Sequence, residues 1–147
     1  LIPASGFYEW KRYANKQPSQ PYWVRPREGG IVTFGGLMET WSDPNGSEID
    51  TGCIISTAAN ESFATIHHRL PLVIQPRDFD QWLDHHSQEP RDLMDLMKPV
   101  DDSYFEAIPI STDVNKVANT GRYLQTRVDI ESPANLQPRE NEQYSMF

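Results

Sequence analysis

Chemistry in this sequence gathers in four short stretches. SGFYEW, residues 5–10, sets one carboxylate, Glu9, among three aromatics. A carboxyl walled by rings loses hydration, which favours its protonated form and suits it to general-acid or proton-shuttle work near neutral pH. IHHRLP, residues 66–71, places two imidazoles and a guanidinium between apolar Ile66 and Leu70. Imidazole exchanges protons near neutrality, so either histidine can serve as acid or base. Arg69 carries a fork that matches a phosphate or a carboxylate. STAANE, residues 56–61, brings the hydroxyls of Ser56 and Thr57 to a strand end, where they can donate to a ligand oxygen. ISTDVN, residues 110–115, adds Ser111, Thr112 and Asn115.

Each stretch also has a plainer use. Glu9 can face water on an edge strand. One histidine of the pair can be packed and the other solvated. Ser56, Thr57, Ser111 and Thr112 can cap the turns that follow them. A metal site is not expected: His67 and His68 cannot both aim at one ion from a regular element, His85-His86 ends a helical stretch, and no Cys-x-x-Cys or His-Glu-x-x-His pattern is present. Nucleophile-elbow, P-loop and dinucleotide fingerprints are absent as well, and no cofactor is implied. Four tryptophans are available to stack on bases, although Trp82, on an amphipathic stretch, suits a core.

The elements that must position these groups are mostly strands. IPASGFYEWKRY is rich in strand formers, and alternation puts Phe7 and Glu9 on one face with Tyr8 and Trp10 on the other. NKQPSQP reads as a turn, PYWVRP as a short strand and REGG as a turn. IVTFGGLMETW reads as a longer strand, in which Gly35-Gly36 marks a bulge or a close backbone approach. SDPNGSEID is loop chemistry, with the turn at Asn45-Gly46. TGCIISTA reads as a buried strand, NESFATIHH as short helix or irregular, and PLVI as a brief strand. QPRDFDQWLDHH and EPRDLMDLMKP have helical spacing, YFEAIPIS is a strand, and STDVNKVANTGR carries capping residues. From about residue 125 the chain turns polar and loses periodicity. The expectation is an α+β fold, mainly antiparallel β with two or three short helices, over 1–124, followed by a C-terminal tail over 125–147.

Composition sets outer limits. The chain has 147 residues, 37% of them apolar, which suffices for one domain with a core. A net charge of −8 argues against non-specific affinity for duplex nucleic acid, yet leaves room for a local cationic groove. The single cysteine, Cys53, rules out an internal disulfide and suits a reducing, cytoplasmic compartment. Within CIIST it reads as a small buried hydrophobe. No apolar run approaches the roughly 20 residues needed to span a bilayer. The chain opens on Leu1-Ile2-Pro3, already strand-like and without a starting methionine, so a preceding segment is expected.

The order of these stretches carries more than any one of them. SGFYEWK, then FGGLMETW, then IISTAANESFATIHHRLPLVI, then the IPIST-VN-VAN run, resembles the SOS-response-associated peptidase (SRAP) domain, whose members shield abasic sites in single-stranded DNA. The likeness covers about residues 1–120, with Leu70 standing where methionine is usual. It implies a barrel-like SRAP fold and a reaction in which an N-terminal cysteine attacks the ring-opened sugar. The amine gives a Schiff base and the thiol closes a thiazolidine, leaving a DNA–protein crosslink. Self-removal of the preceding methionine would expose that cysteine. By the same likeness Glu9 and His67 are catalytic, Thr57 and Arg69 contact DNA, and Phe7 and Glu9 face the cleft for the sugar while Tyr8 and Trp10 pack behind. The family's N-terminal cysteine, asparagine motif and W-G-x-x-P stretch would all precede Leu1, and internal Cys53 cannot replace an N-terminal amine–thiol. The implied partners are abasic single-stranded DNA and that missing segment. Two other readings stay open: a non-covalent single-strand-binding module, and a peptidase or scaffold with no nucleic-acid role.

Overall fold

A computed structural model describes residues 1–13 and 18–130 of the chain. Among the described residues nine strands and two short α-helices follow one another. β1 (Ile2–Ala4), β2 (Phe7–Lys11), β3 (Gln20–Pro26), β4 (Val32–Phe34), β5 (Gly36–Ser42), β6 (Glu48–Ile54) and β7 (Ser56–Ala58) come first. α1 (Glu61–Ala64), β8 (Arg69–Pro71), α2 (Phe79–Leu83) and β9 (Phe105–Pro109) complete the set, with 3-10 turns at Pro76–Asp78, Pro90–Leu96, Thr112–Asn115 and Arg122–Gln125. All strand pairs are antiparallel, in four short sheets: β1–β4, β2–β3–β9, β5–β6 and β7–β8. The α+β expectation holds.

Several expected strands are broken, each for a local reason. IPASGFYEWKRY divides at Ser5-Gly6. A side chain at Gly6 would meet the Val24 carbonyl oxygen at 2.3 Å and the Trp23 ring at 2.7 Å, so the close approach of β3 requires glycine. IVTFGGLMETW divides at Gly35, where a Cβ would lie 2.9 Å from the Trp82 ring. At Gly36 a Cβ would lie 2.7 Å from the Cys53 carbonyl oxygen, which is the close backbone approach expected. TGCIISTA divides at Ile55, and its first half is not buried: every residue of β6 is exposed, Cys53 included. β6 also begins at Glu48, inside the expected loop, although the turn at Asn45-Gly46 stands. The expected strand at PLVI lies earlier, at Arg69–Pro71, and Val73 contributes an isolated bridge to Phe34. EPRDLMDLMKP is a 3-10 turn, not an α-helix, with the Asp92 carboxylate accepting from the Glu89 N–H at 3.0 Å. The first three residues of NKQPSQP, 15–17, lie outside the described residues.

The sheets are stitched by backbone hydrogen bonds across the breaks. Gly35 N–H donates to Leu72, Leu72 N–H to Ile55, and Ile55 N–H to Gly35. Register assigns the faces of the three-stranded sheet. Phe7 opposes Val24, Glu9 opposes Tyr22, and Val24 opposes Ala107. One face of β2–β3–β9 therefore carries Phe7, Tyr22, Val24 and Phe105 into the main core, with Val32, Phe34, Phe63, Leu70 and Val73, and carries Glu9 at its margin. The other face carries Tyr8, Trp23 and Ile108 into a second cluster with Ile110 and Val114. Beyond β9, Arg127 bridges to Ile110 and Val128 N–H donates to the Pro109 carbonyl. The proposed 125–147 tail thus begins with residues held against the sheet, and positions 131–147 lie outside the described residues. No described helix is long and apolar enough to cross a membrane.

Candidate functional site

Glu9 reaches its position because β2 alternates. Phe7, two residues earlier on the same face, is the hub of an aromatic cluster. Its ring centroid lies 5.8 Å from Phe34, 5.9 Å from Phe63 and 5.6 Å from Phe105. Phe7 is thus core, and Glu9 sits where that face emerges from the core. Its Oε1 accepts from the Trp10 N–H at 2.9 Å. On the opposite face Tyr8 packs against Trp23 at 5.1 Å, and the Trp10 indole N–H donates to the Asn115 side-chain oxygen at 2.8 Å. Tyr8 and Trp10 lie on the face opposite Glu9, as alternation predicts, whereas Phe7, expected to face the cleft with Glu9, is taken up by the core. Ser111 caps the 3-10 turn that carries Asn115, accepting from the Asp113 N–H at 3.1 Å.

His67 is delivered by α1 and the turn that ends it. Asn60 caps the helix by accepting from the Phe63 N–H at 2.9 Å, while its amide donates to the Val100 carbonyl at 3.0 Å. The Ser62 N–H donates to Asp102 at 2.9 Å, which ties the helix start to the 100–102 loop. Ile66 and His67 N–H groups both return to the Phe63 carbonyl, reversing the chain towards β2. The His67 Nδ1 then lies 3.9 Å from Glu9 Oε2, with the two side chains 33% and 22% exposed. That distance is an electrostatic contact with room for a proton relay through one water or a small movement.

The backbone of Arg69 makes His67 indifferent to its tautomer. Nδ1 lies 3.1 Å from the Arg69 carbonyl oxygen and 3.2 Å from the Arg69 N–H. A protonated Nδ1 donates to the carbonyl, and a bare Nδ1 accepts from the amide. Among the described residues Nε2 has no hydrogen-bond partner. His68 stacks on His67 with centroids 4.5 Å apart.

Thr57 and Arg69 are not brought together. Thr57 opposes Leu70 in the β7–β8 ribbon, and Leu70 is fully buried, so both face inward. The Thr57 hydroxyl donates to the Met97 carbonyl at 3.2 Å. Arg69 lies on the outward face, its guanidinium folded over Ser56, with Nε 3.1 Å from the hydroxyl and Nη2 also on the Ser56 carbonyl. Among the described residues no three His, Cys, Asp or Glu side chains gather as metal ligands.

Sequence reasoning missed the flank of the site. A cleft of about 400 Å³ adjoins it, lined by Lys11 and Tyr22 next to Glu9, by Thr65 and Ile66 next to His67, and by Arg27 and Arg127. Lys11 was readable, since it lies two residues beyond Glu9 on the same strand face. Tyr22 and Arg127 arrive through pairing register and carry no local signal. Burial, and then Tyr13 beside it, holds the Tyr22 hydroxyl above the ordinary tyrosine range, so this neighbour of Glu9 stays neutral.

The family model for SOS response associated peptidase (SRAP) matches residues 1–117. The abasic site processing protein YoqW of Bacillus subtilis is 34% identical over 124 residues, covering 84% of this chain and 55% of that protein. The abasic site processing protein HMCES of Gallus gallus is 31% identical over 137 residues, covering 81% of this chain and 40% of that one. A crystal structure of a Bacteroides thetaiotaomicron protein superposes with a TM-score of 0.76 at 26% identity, over 86% of this chain and 55% of that one. The chain therefore spans about half the length of these relatives. With a family model matched over most of its residues, this chain belongs to the SRAP family.

Proposed function

We propose that this chain supplies the proton-transfer half of an abasic-site processing enzyme acting on single-stranded DNA. The observation that carries the reading is the approach of Glu9 Oε2 to His67 Nδ1, 3.9 Å apart, from two segments distant in the sequence. The names of the relatives YoqW and HMCES support the substrate class.

The chemistry runs as follows. The ring-closed sugar must open to its aldehyde, which takes a proton off the C1′ hydroxyl and puts one on the ring oxygen. Glu9 and His67 divide that exchange, one as base and one as acid. An amine then adds to the aldehyde carbon, the carbinolamine loses water to a Schiff base, and a thiol on the same residue adds to that carbon to close a thiazolidine. The second attack traps a reversible first product. The amine–thiol is an N-terminal cysteine uncovered by self-removal of methionine, and it comes from outside residues 1–147. Arg69 holds a backbone phosphate once Ser56 releases its fork, and Thr57 shapes the ribbon beneath it. The setting is a cytoplasmic DNA-damage response.

Free cysteine carries the missing amine and thiol, so the reading is testable on this chain. An abasic oligonucleotide incubated with free cysteine should form the thiazolidine adduct faster when the protein is added, as followed by mass spectrometry. Glu9→Gln and His67→Ala should each lower that acceleration by about 10²-fold or more, the usual worth of a positioned acid or base. Equal rates in both variants and the parent chain would remove these residues from the mechanism. A parent chain that binds the oligonucleotide without accelerating the adduct would favour the non-covalent binding module.

A further inference from the structure

The cleft beside Glu9 and His67 does not end at the sheet. It is lined by Lys11, Arg27 and Arg127, against Asp102 and Glu106. A second groove, of about 710 Å³, lies against the opposite face of β2–β3–β9, with Trp23 and Ile108 as its floor. Arg25, Arg122 and Arg127 line it, against Glu106 alone. Arg127 therefore belongs to both. It stands where the chain crosses the free side of β9, next to its bridge with Ile110. The two grooves meet around that edge.

The charges on this path oppose those of the whole molecule. The chain carries −8, yet these linings hold five cations and two acids. Two of the five are partly committed. Arg25 Nε donates to Glu106 at 2.6 Å, and Arg27 donates to the carbonyls of Ser103 and Phe105. Lys11, Arg122 and Arg127 have no carboxylate partner among the described residues. A local cationic path on an acidic body attracts a polyanion only where it is laid down, because the remaining surface repels it.

We infer that the two grooves form one phosphate track, along which a single-stranded oligonucleotide runs from the Glu9–His67 pair around the β9 edge onto the opposite face of the sheet. The track rests on the abasic-DNA reading for the identity of its ligand. Its contacts are with backbone phosphates, so they position the strand without reading its sequence. The floor tryptophan, Trp23, is 7% exposed and belongs to the core, so base stacking has no part in this segment. Only a strand long enough to pass Arg127 gains the far contacts.

The test uses fluorescein-labelled single strands without any abasic site, one of about 4 nucleotides and one of about 16, with binding followed by anisotropy against salt. Arg25→Ala/Arg122→Ala/Arg127→Ala should weaken the long strand by roughly 10-fold or more and make the slope of log K against log salt shallower by about 2, near 0.7 for each lost phosphate contact. The short strand meets Arg127 but neither Arg25 nor Arg122, so its slope should change by no more than one contact's share, about 0.7. Arg77→Ala/Arg91→Ala/Lys98→Ala changes net charge equally, off the track, and should leave the long strand's affinity within about 2-fold. Arg127→Gln alone, which leaves the Arg25–Glu106 pair in place, should show about a third of the slope change, and it covers any misfolding of the triple variant. Equal losses in the track and control triples, or no loss in the track triple, would overturn the inference while leaving the cysteine-assisted adduct untouched. Conversely, track behaviour without adduct acceleration would sink the proposed chemistry and keep the track.

Discussion

The β2–β3–β9 sheet and the β5–β6 hairpin are built from similar material and meet opposite fates. Both are rich in aromatic and β-branched residues. The sheet is covered on both faces, by the main core on one side and the Trp23–Ile108–Ile110 cluster on the other. The hairpin is exposed at every position but Gly36, with Leu37 at 63%, Trp41 at 53% and Ile49 at 55%. Register puts Leu37 opposite Cys53 and Trp41 opposite Ile49, so these four side chains share one exposed face, while Met38 and Ile54 are exposed on the other. Strand propensity describes a residue that fits a pleated surface, and it does not say what will lie against that surface. Glu9 stands on the covered sheet and His67 on the turn after α1, and the hairpin contributes nothing to their approach.

The contrast is broken most directly by truncation. Phe34 is 2% exposed and packs edge-on to Phe7. Phe34→Ala should cost about 3–5 kcal/mol from lost transfer energy and the cavity left behind. Trp41→Ala removes a larger side chain from the hairpin, yet should cost under about 1 kcal/mol, the scale of one cross-strand pair. Urea unfolding of both variants measures this, and equal losses would mean the hairpin is as much part of the core as the sheet.

Glycine sharpens the same comparison. At Gly6 a methyl group would run into the Val24 carbonyl and the Trp23 ring. Gly6→Ala should destabilise by about 1–3 kcal/mol, the usual cost of overpacking. At Gly52, in the hairpin, the nearest atom to a new methyl is the Leu37 carbonyl oxygen at 3.6 Å, an ordinary contact. Gly52→Ala should be neutral, or stabilise by up to about 1 kcal/mol through the unfolded chain. Two substitutions of the same chemistry would thus differ in sign, and a loss at Gly52 as large as that at Gly6 would show a covered hairpin.

What was legible in the sequence divides along the same line. Turn chemistry is readable, since Gly29, Gly30 and Gly46 all adopt positive φ where Gly-Gly and Asn-Gly predict turns. Alternation on β2 placed Glu9 correctly relative to Tyr8 and Trp10. The Gly35-Gly36 pair marks its own break, whereas the break at Gly6 has no local signal, because the atoms crowding it belong to distant Trp23 and Val24. The composition of CIIST predicts burial, whereas the exposure of Cys53 and Ile54 follows from what the fold leaves uncovered. For the site, aromatic neighbours singled out Glu9, and a motif singled out His67. Their 3.9 Å approach depends on the Asn60 cap and the reversal at Phe63, which no local pattern predicts.

Opposite ends of the pH scale should loosen the two regions separately. Burial holds Tyr22 above its ordinary value of 10.0, with Tyr13 adding to the rise, and burial holds Tyr104 up as well. A raised value means that folding favours the neutral phenol. That contribution is complete below about pH 10 and is lost as pH climbs through the folded-state value. Tyr22→Phe should therefore flatten the alkaline fall in urea midpoint between pH 9 and about 11. In the hairpin loop, Asp43 is held below 3.8, first by the Ser47 N–H and then by the Asn45 N–H. Its contribution is present above about that pH and is lost as pH falls through the lower folded value. Amide resonances of Asn45 and Ser47 should shift with a midpoint below 3.8 while those of β3 stay fixed. A common midpoint for the loop and β3 would mean that the hairpin and the sheet respond as one unit.

The smallest perturbation is a chemical one. Cys53 is exposed on the same hairpin face as Leu37, so a thiol reagent reaches it without unfolding the protein. Iodoacetamide should modify the native chain within about 10-fold of the rate for the urea-unfolded chain, because exposure and not opening limits access. The modified protein should keep its urea midpoint to within about 0.5 kcal/mol, as expected for a surface change away from any packed contact. Protection by several orders of magnitude would mean that this face is covered in solution, by another copy of the chain or by its own remaining residues. The hairpin and the sheet would then differ in which partner covers them, and the exposed ladder of Leu37, Trp41 and Ile49 would mark an interface.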